Sequence, residues 1–357
     1  MGNTIGSLFR FTSFGESHGA MIGGVIDGCP AGINVDYVLI NSELSRRKGG
    51  AYLFSTKRVE DDKVEFFSGI FEGKTLGTPI AFGIRNNDVR SQDYESIKNI
   101  YRPSHADYGY EVKYGIRDYR GGGRASARET VARVVAGAFA KMILRQENLI
   151  CMGYVSEIAG IKANVLNADF NPDMLNDSIL QMPDAIAENK AVKKLKKLKE
   201  KGDTAGGIIT VVCKNVLAGL GEPVFDKLEA EIAKAVLSIP AAKGIEFGAG
   251  FNFARMTGTE ANDIFVNRGG KITTKTNNNG GIIGGISTGA DIVFNVVFKP
   301  VSTVFVEQNT VDSAGREVSY IPQGRHDVTV LPRAVVIVES MTAIVLADML
   351  LRQKAIK

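Results

Sequence analysis

The sequence predicts an α+β fold, and three observations lead to it. Strand-like and helix-like stretches are mixed along the chain without a regular strand–helix–strand alternation. No GxGxxG fingerprint follows a strand and opens a helix, and no Walker motif is present, so a standard nucleotide-binding fold is not indicated. With 357 residues and 44% hydrophobic content, the chain can bury a large core as one domain or two smaller ones.

The first half of the chain predicts strands and then helices. SLFRFTSFG and GGVIDGCPAG are strand-like and rich in glycine, and a helix is predicted from Tyr37 to Arg47. The clearest helical pattern lies in RGGGRASARETVARVVAGAFAKMILRQ, where apolar residues recur at helical spacing. Ser126 and Glu129 predict a capping box at its start.

The second half begins with a polar, lysine-rich region at 171–203. IITVVCK and ADIVFNVVFK then predict strands, and PVFDKLEAEIAKAVLSI predicts an amphipathic helix. The tail VVIVESMTAIVLADMLLRQK predicts a second well-marked helix. Its apolar run is short and carries Asp348, so we expect a buried helix and not a membrane span.

Composition narrows the class of protein. The net charge of +4 is mild and favours anionic small molecules over DNA as ligands. The three cysteines are far apart and form no CxxC pair, which predicts a reducing compartment without disulfides or zinc. The start, MGNTIGSLFR, has no apolar signal core, so we expect a cytoplasmic protein. KKLKKLKEK is best interpreted as a solvated helix face, because the aromatic residues that stack on bases are absent there.

All three histidines of the chain lie in segments marked by glycine or proline. His18 lies in GESHG, His105 in RPSHADY and His326 in GRHDV, each beside Ser, Arg or Asp. A single histidine is most often structural, but three in such settings favour a role in proton transfer. HExxH spacing and a carboxylate–histidine cluster are both absent, so no metal site is predicted.

The segment RGGGRASARE predicts an anion site. A glycine loop runs into a helix start, where free backbone N–H groups favour negative charge. Arg124 and Arg128 are four residues apart, so they are expected to share a face and to bind a phosphate or carboxylate. The alternative is a capped helix with solvated arginines. Further arginines near the glycine and histidine motifs favour a strongly anionic ligand; they are Arg46, Arg47, Arg102 and Arg325.

Five motifs in this order resemble chorismate synthase, and the match runs from GNTIGSLFRFTSFGESHG to the final helix. They are GESHG, RPSHADY, YRGGGRASARET, NNNGGIIGGIS and GRHDVTVLPRAV. The resemblance implies a single domain over 1–357 and a β-α-β sandwich, with helices packed between antiparallel sheets. It implies the 1,4-anti elimination of phosphate from 5-enolpyruvylshikimate 3-phosphate, with reduced FMN required despite no net redox change.

The resemblance also implies roles for particular residues. His105 would transfer a proton toward the flavin and His18 toward the departing phosphate, with Ser17 and Ser126 as proton relays. Asp327 would work with the flavin to remove the ring proton, and Asp348 is a second candidate for that carboxylate.

The resemblance further implies an FMN-binding set. Its positions are Arg124, Ala125, Ser126, Pro240, Ala241, Gly284, Lys299, Pro300, Val301, Ser302, Thr303 and Arg325. We assign Arg46, Arg47, Arg102 and Arg128 to the substrate, and the resemblance supports Arg47, which matches an arginine assigned to substrate or nucleotide. A second arginine usual in the family falls at Leu53, so an NADP contact lacks one of its usual partners.

Family members form homotetramers, and bacterial members mostly take reduced flavin from a separate source. No segment here suggests a flavin reductase domain, and no nucleic-acid or membrane partner is expected. Two alternatives stay open at this point. One is a flavin reductase or other hydride-transfer enzyme that uses the same pocket. The other is a non-enzymatic protein that binds anions or nucleic acid through the lysine-rich helix.

Overall fold

A computed structural model of the chain describes residues 2–50, 52–55, 60–87, 97–322 and 327–356. The helices are α1 (Tyr37–Arg47), α2 (Asp107–Tyr114), α3 (Thr130–Arg145), α4 (Ala185–Glu200), α5 (Leu228–Leu237), α6 (Gly258–Ala261) and α7 (Leu331–Ile356). The strands are β1 (Thr4–Ile5), β2 (Arg10–Phe14), β3 (Met21–Asp27), β4 (Val64–Phe66), β5 (Ile70–Phe71), β6 (Lys74–Thr75), β7 (Ile80–Arg85), β8 (Ile150–Ile158), β9 (Ile161–Lys162), β10 (Gly207–Lys214), β11 (Ala242–Phe247), β12 (Phe265–Arg268), β13 (Lys271–Thr274), β14 (Ile282–Ile283), β15 (Ile286–Ser287), β16 (Ile292–Phe298), β17 (Gln308–Val311) and β18 (Glu317–Tyr320).

Two five-stranded antiparallel sheets enclose the long helices. The first has the strand order β1-β2-β3-β7-β4, and the second has the order β11-β16-β10-β8-β9. Helix α3 contacts β2 and β3 of the first sheet, whereas α7 contacts β8 and β10 of the second. The two helices also pack on each other, so they form the middle layers between the sheets. The α+β prediction is confirmed.

The middle position of α3 and α7 explains their composition. A helix that is covered on all sides must be apolar on all sides, and both helices are buried nearly throughout. The backbones approach closely at Gly137, where an added Cβ would lie 2.3 Å from the Cβ of Ser340. α7 has the length and hydropathy of a membrane span, but 94% of its apolar window is buried inside the protein. It is a core helix, as its sequence predicted.

The predicted helices are present, although α5 begins only at Leu228, and the lysine-rich region and the capping box have different outcomes. The lysine-rich α4 buries only Ala187, Ala191 and Leu195 of its residues, so its lysines form a largely solvated face. The capping box before α3 is wrong, because the Ser126 hydroxyl accepts from the backbone N–H of Arg128 and caps a short 3₁₀ turn instead. Glu129 pairs with Arg133 in the next turn.

Asp348 fastens the N-terminal segment to the core. One oxygen of its carboxylate accepts from the backbone N–H groups of Ser7, Leu8 and Phe9 at 2.9, 2.6 and 2.9 Å. Asp348 was the second candidate for the carboxylate that removes the ring proton. Its three hydrogen bonds give it a structural role instead.

Replacing Asp348 by alanine should destabilise the protein, because up to three backbone donors would lose their acceptor. We expect the free energy of unfolding to fall by about 3 kcal/mol or more, measured by chemical or thermal denaturation. Asp348→Asn keeps an oxygen acceptor of similar shape and should lose less. Equal stability of Asp348→Ala and the unmodified protein would contradict this role.

Candidate active site

A cavity of about 1240 Å³ opens where β2, the 3₁₀ turns before α3, the start of α2 and the ends of β11 and β16 meet. It collects residues from five separate parts of the sequence, which are 2–16, 102–133, 237–243, 299–303 and Val330. The predicted site residues that line it are Arg102, His105, Arg124, Ala125, Ser126, Pro240, Ala241, Lys299, Pro300, Val301, Ser302 and Thr303.

His105 has a defined tautomer in this cavity. Its Nδ1 lies 2.9 Å from the carbonyl oxygen of Pro103, which can only accept, so Nδ1 carries the hydrogen. Nε2 is then the acceptor, and it lies 3.3 Å from the Thr303 hydroxyl. Burial, with the positive charge of Arg102 as the next cause, lowers the pKa of His105. The neutral imidazole is therefore favoured, and the electron pair of Nε2 faces the Thr303 hydroxyl.

The segment 299–303 braces the loop that carries His105. The ammonium of Lys299 donates to the carbonyl oxygen of Ser104 at 3.0 Å and to the hydroxyl of Ser302 at 2.8 Å. Ser302 in turn donates to the same carbonyl at 3.2 Å. Two hydrogen bonds to the Ser104 carbonyl oxygen thus fix the loop against the segment that follows β16, which holds the imidazole in place.

His18 lies directly behind the cavity wall. Its Nδ1 is 3.1 Å from the Ser17 hydroxyl, and Ser17 is buried. An added Cβ at Gly121, which lines the cavity, would lie 2.5 Å from both Cε1 and Nδ1 of His18. Only a residue without a side chain therefore fits at 121, and the imidazole reaches the wall because glycine stands there.

The cavity retains positive charge. The Arg124 guanidinium donates to the Gly15 carbonyl oxygen at 3.0 Å, to the Ser13 hydroxyl and carbonyl, and to the Asn3 side-chain oxygen, all of them neutral. The partners of Lys299 are neutral as well. In the described part of the chain neither cation has an acidic partner, so the cavity favours an anionic ligand.

Arg124 and Arg128 do not share a face, contrary to the prediction. Arg128 is not part of the cavity lining and is ion-paired with Asp62, which also pairs with Arg47 at 3.0 Å. All three side chains are buried. The two predicted substrate arginines, Arg47 and Arg128, therefore form a cluster next to the cavity-lining segment 126–127, where Arg47 donates to the Ala127 carbonyl oxygen at 3.4 Å.

The Arg128 side chain also supports the His18 loop through Asn86. Its Nε donates to the Asn86 side-chain oxygen at 2.9 Å, and the Asn86 amide donates to the carbonyls of Glu16 and Gly19 at 3.0 and 2.8 Å. Sequence reasoning missed Asn86 and Asp62. Each lies in a short polar run, RNND or EDDK, that is typical of exposed loops.

Three other predicted residues are not brought to the cavity. Gly284 lies in the hairpin between β14 and β15. Asp327 accepts from Arg333 at 3.2 Å and is not part of the cavity lining. Arg46 lines a second cavity of about 550 Å³ on the other side of α1 and α3. Arg325 and His326 lie outside the described residues.

Arg46 belongs to a buried charge network, which explains why it is not available in the main cavity. It donates to Glu339 at 2.7 and 2.8 Å and to Glu43 at 2.9 Å, and Lys141 also donates to Glu339 at 2.8 Å. Burial alone would raise the pKa of Glu339. The adjacent charges of Arg46 and Lys141 outweigh burial and lower it to about 2.

This network makes stability depend on pH. A carboxylate with a lowered pKa contributes stability that is complete above the pKa of the unfolded chain and is lost as pH falls through the folded value. We therefore expect the contribution of Glu339 to disappear between about pH 4.5 and pH 2. Melting temperatures from pH 7 to pH 3 check this. Glu339→Gln should melt lower at pH 7, and the difference from the unmodified protein should shrink as pH falls.

Comparison with known proteins gives one consistent result. The family model described as chorismate synthase matches residues 9–351. A chorismate synthase of Parabacteroides distasonis is 54% identical over 352 residues, which is 99% of this chain and 98% of that protein. One of Bacteroides thetaiotaomicron is 51% identical, with 99% of each chain covered. A solved structure titled as a crystal structure of chorismate synthase matches with a TM-score of 0.75 and 32% identity, over 98% of this chain and 93% of that one.

Proposed function

The chain belongs to the chorismate synthase family, and from this premise we propose that it converts 5-enolpyruvylshikimate 3-phosphate to chorismate by 1,4-anti elimination of phosphate. Membership of the family makes the protein a carbon–oxygen lyase. We assign the reaction to the shikimate pathway, as the last shared step toward aromatic amino acids. The main support for the proposal is the cavity. His105 lines it together with Arg124 and Lys299, two cations that have no acidic partner among the described residues.

The charge of the cavity supports this substrate. 5-Enolpyruvylshikimate 3-phosphate carries one phosphate and two carboxylates, so a site for it needs several uncompensated cations. Arg124 and Lys299 donate to neutral oxygens only, and Lys243 lines the same cavity. Burial, and next the charge of Lys243, lower the pKa of Lys299, as expected for cations that lack a counter-ion.

Reduced FMN is the cofactor that we propose, and the lining of the cavity fits it. The volume of about 1240 Å³ exceeds that of a typical pocket for one small ligand, so there is room for flavin and substrate together. The glycines at 121–123 give a wall without side chains. When bound, reduced FMN supplies an electron that helps to expel phosphate and recovers it as the ring hydrogen leaves. The residues that would hold it are Arg124, Ala125, Ser126, Pro240, Ala241, Lys299, Pro300, Val301, Ser302 and Thr303.

Two histidines would move protons in this scheme. His105 would act at Nε2, the nitrogen that its neutral tautomer leaves without a hydrogen. His18 would deliver a proton to the departing phosphate, with the Ser17 hydroxyl, 3.1 Å from Nδ1, as its relay. Ser126 remains the second relay in the proposal. Asp327 stays the carboxylate that the family resemblance assigns to the ring proton, although Arg333 holds it outside the cavity lining.

We also propose that the protein acts in the cytoplasm as a homotetramer and receives reduced flavin from a separate reductase. These points rest on the family alone. The family usually has an arginine at the position of Leu53. If this chain binds NADP, another residue must supply that contact.

An anaerobic assay tests the proposed function. The protein is mixed with 5-enolpyruvylshikimate 3-phosphate and FMN reduced by dithionite, and phosphate release and chorismate absorbance are followed together. We expect equal amounts of both products with flavin in catalytic amount. Absence of phosphate release would overturn the proposal. Stoichiometric consumption of NADPH without chorismate would support a hydride-transfer enzyme instead.

A further inference from the structure

Asp62 lies between Arg47 and Arg128 and pairs with both of them. One carboxylate oxygen accepts from Arg47 at 3.0 Å, and the other accepts from Arg128. Side chains at this site are nearly inaccessible, with 4% exposure for each arginine side chain and none for Asp62. One carboxylate thus bridges two buried guanidinium groups, as a phosphate or a substrate carboxylate could.

The carboxylate of Asp62 does not satisfy this cluster. Among the described residues, Nε of Arg47 is buried and has no hydrogen-bond partner. A third guanidinium, Arg333, lies near Arg47 and has its own partner in Asp327. Burial, reinforced by the like charges of Arg333 and Arg128, lowers the pKa of Arg47 to about 10 despite Asp62. A buried donor that has no acceptor among the described residues indicates that the cluster can take more anionic oxygen than Asp62 supplies.

The backbone of Asp62 indicates that its ion pairs hold it in place. Its φ is 51°, in the left-handed region that costs free energy for residues other than glycine and that aspartate tolerates better than most. Such a conformation persists when surrounding contacts enforce it, and here those contacts are the two ion pairs. A stronger anion between the guanidiniums would remove that restraint.

We propose that Asp62 is a resident carboxylate that neutralises the Arg47–Arg128 pair in the unliganded protein and gives up at least one of these arginines to an anionic group of the substrate. Its effect is to weaken the binding of anions at the pair. This inference rests on the proposed function, because it takes Arg47 and Arg128 as the groups that meet the substrate.

Asp62→Asn separates this role from a structural one. The amide has the same shape but no charge, so competition for the arginines is lost. We expect 5-enolpyruvylshikimate 3-phosphate to bind on the order of tenfold more tightly, measured by calorimetry without flavin. Inorganic phosphate, titrated in the same way, should also bind more tightly. A purely structural Asp62 would give weaker binding in the variant, and unchanged or weaker binding of both ligands would overturn the proposal.

Asp36→Asn is the matched control. Asp36 pairs with Arg145 on the surface and caps α1, so the control removes the same charge away from the cluster. Its affinity for both ligands should equal that of the unmodified protein.

A second measurement does not depend on how the variant folds. In a crystal structure of the unmodified protein with substrate bound, Asp62 should have lost its ion pair with at least one of the two arginines. Retention of both pairs beside bound substrate would refute the inference while leaving the proposed function intact. If the protein neither binds nor converts this substrate, the proposed function fails, and the phosphate titrations still test the competition by Asp62.

Discussion

Replacing His105 by alanine should lower turnover by at least ~10²-fold with reduced FMN saturating, the range typical of a lost general acid–base group. The reason is the position of Nε2, which is an acceptor inside the cavity and is held there through Nδ1 and the Pro103 carbonyl. The measurement is phosphate release in the anaerobic assay at saturating substrate. Near-normal turnover in His105→Ala would rule out His105 as a proton carrier.

Thr303→Val is the matched control for that experiment. It removes the hydroxyl that lies 3.3 Å from Nε2 but leaves the imidazole and its bond to Pro103 in place. We expect a loss of roughly tenfold or less, as for one neutral hydrogen bond. A loss as large as that of His105→Ala would assign the effect to the 299–303 segment and not to the proton carried by the imidazole.

Replacing His18 by alanine should also lower turnover by ~10²-fold or more, because no other described imidazole lies at that side of the cavity wall. Gly121→Ala should approach the same loss with His18 still present. The new Cβ would lie 2.5 Å from the imidazole, and φ at 121 is +87°, so either the ring or the turn must move. Flavin binding, measured separately, shows whether each variant keeps its cavity.

The double variant decides whether Gly121 acts through His18. If glycine at 121 serves to seat the imidazole, Gly121→Ala should cost little in a protein that already lacks His18. If the turnover of the double variant falls by the product of the two single losses, the glycine loop has a separate role, for example in holding the flavin.

Hydrophobic periodicity predicted the long helices and part of the two sheets, but not α2 or the strands β7, β8 and β11. The span of α1 was predicted as observed, and the apolar patterns in α3 and α7 identified helices with extensive burial. The capping box was wrong because Ser126 and Glu129 have closer partners. The 3₁₀ turn offers the N–H of Arg128 to Ser126, and Arg133 lies one helical turn beyond Glu129. The spacing of Ser126 and Glu129 in the sequence gives their residue types, but it does not show which other groups compete to bind them.

The motifs around His18, His105 and Ser126 meet at the cavity and its wall, as their unusual combinations of glycine, histidine and arginine predicted. They did not predict which arginine lines the cavity. Arg46, Arg47 and Arg124 look equivalent as sequence, yet one joins the Glu339 network, one pairs with Asp62, and one lies in the cavity wall.

The alternation of apolar and polar residues, the glycine loops and the order of the motifs can be read without a structure, since these are properties of neighbours along the chain. Which charges compensate each other is set by folding. Arg47 meets Asp62 across 15 positions, and Arg46 meets Glu339 across 293. The energy of a buried ion depends on the partners that folding brings within a few ångströms, and no local pattern encodes that distance.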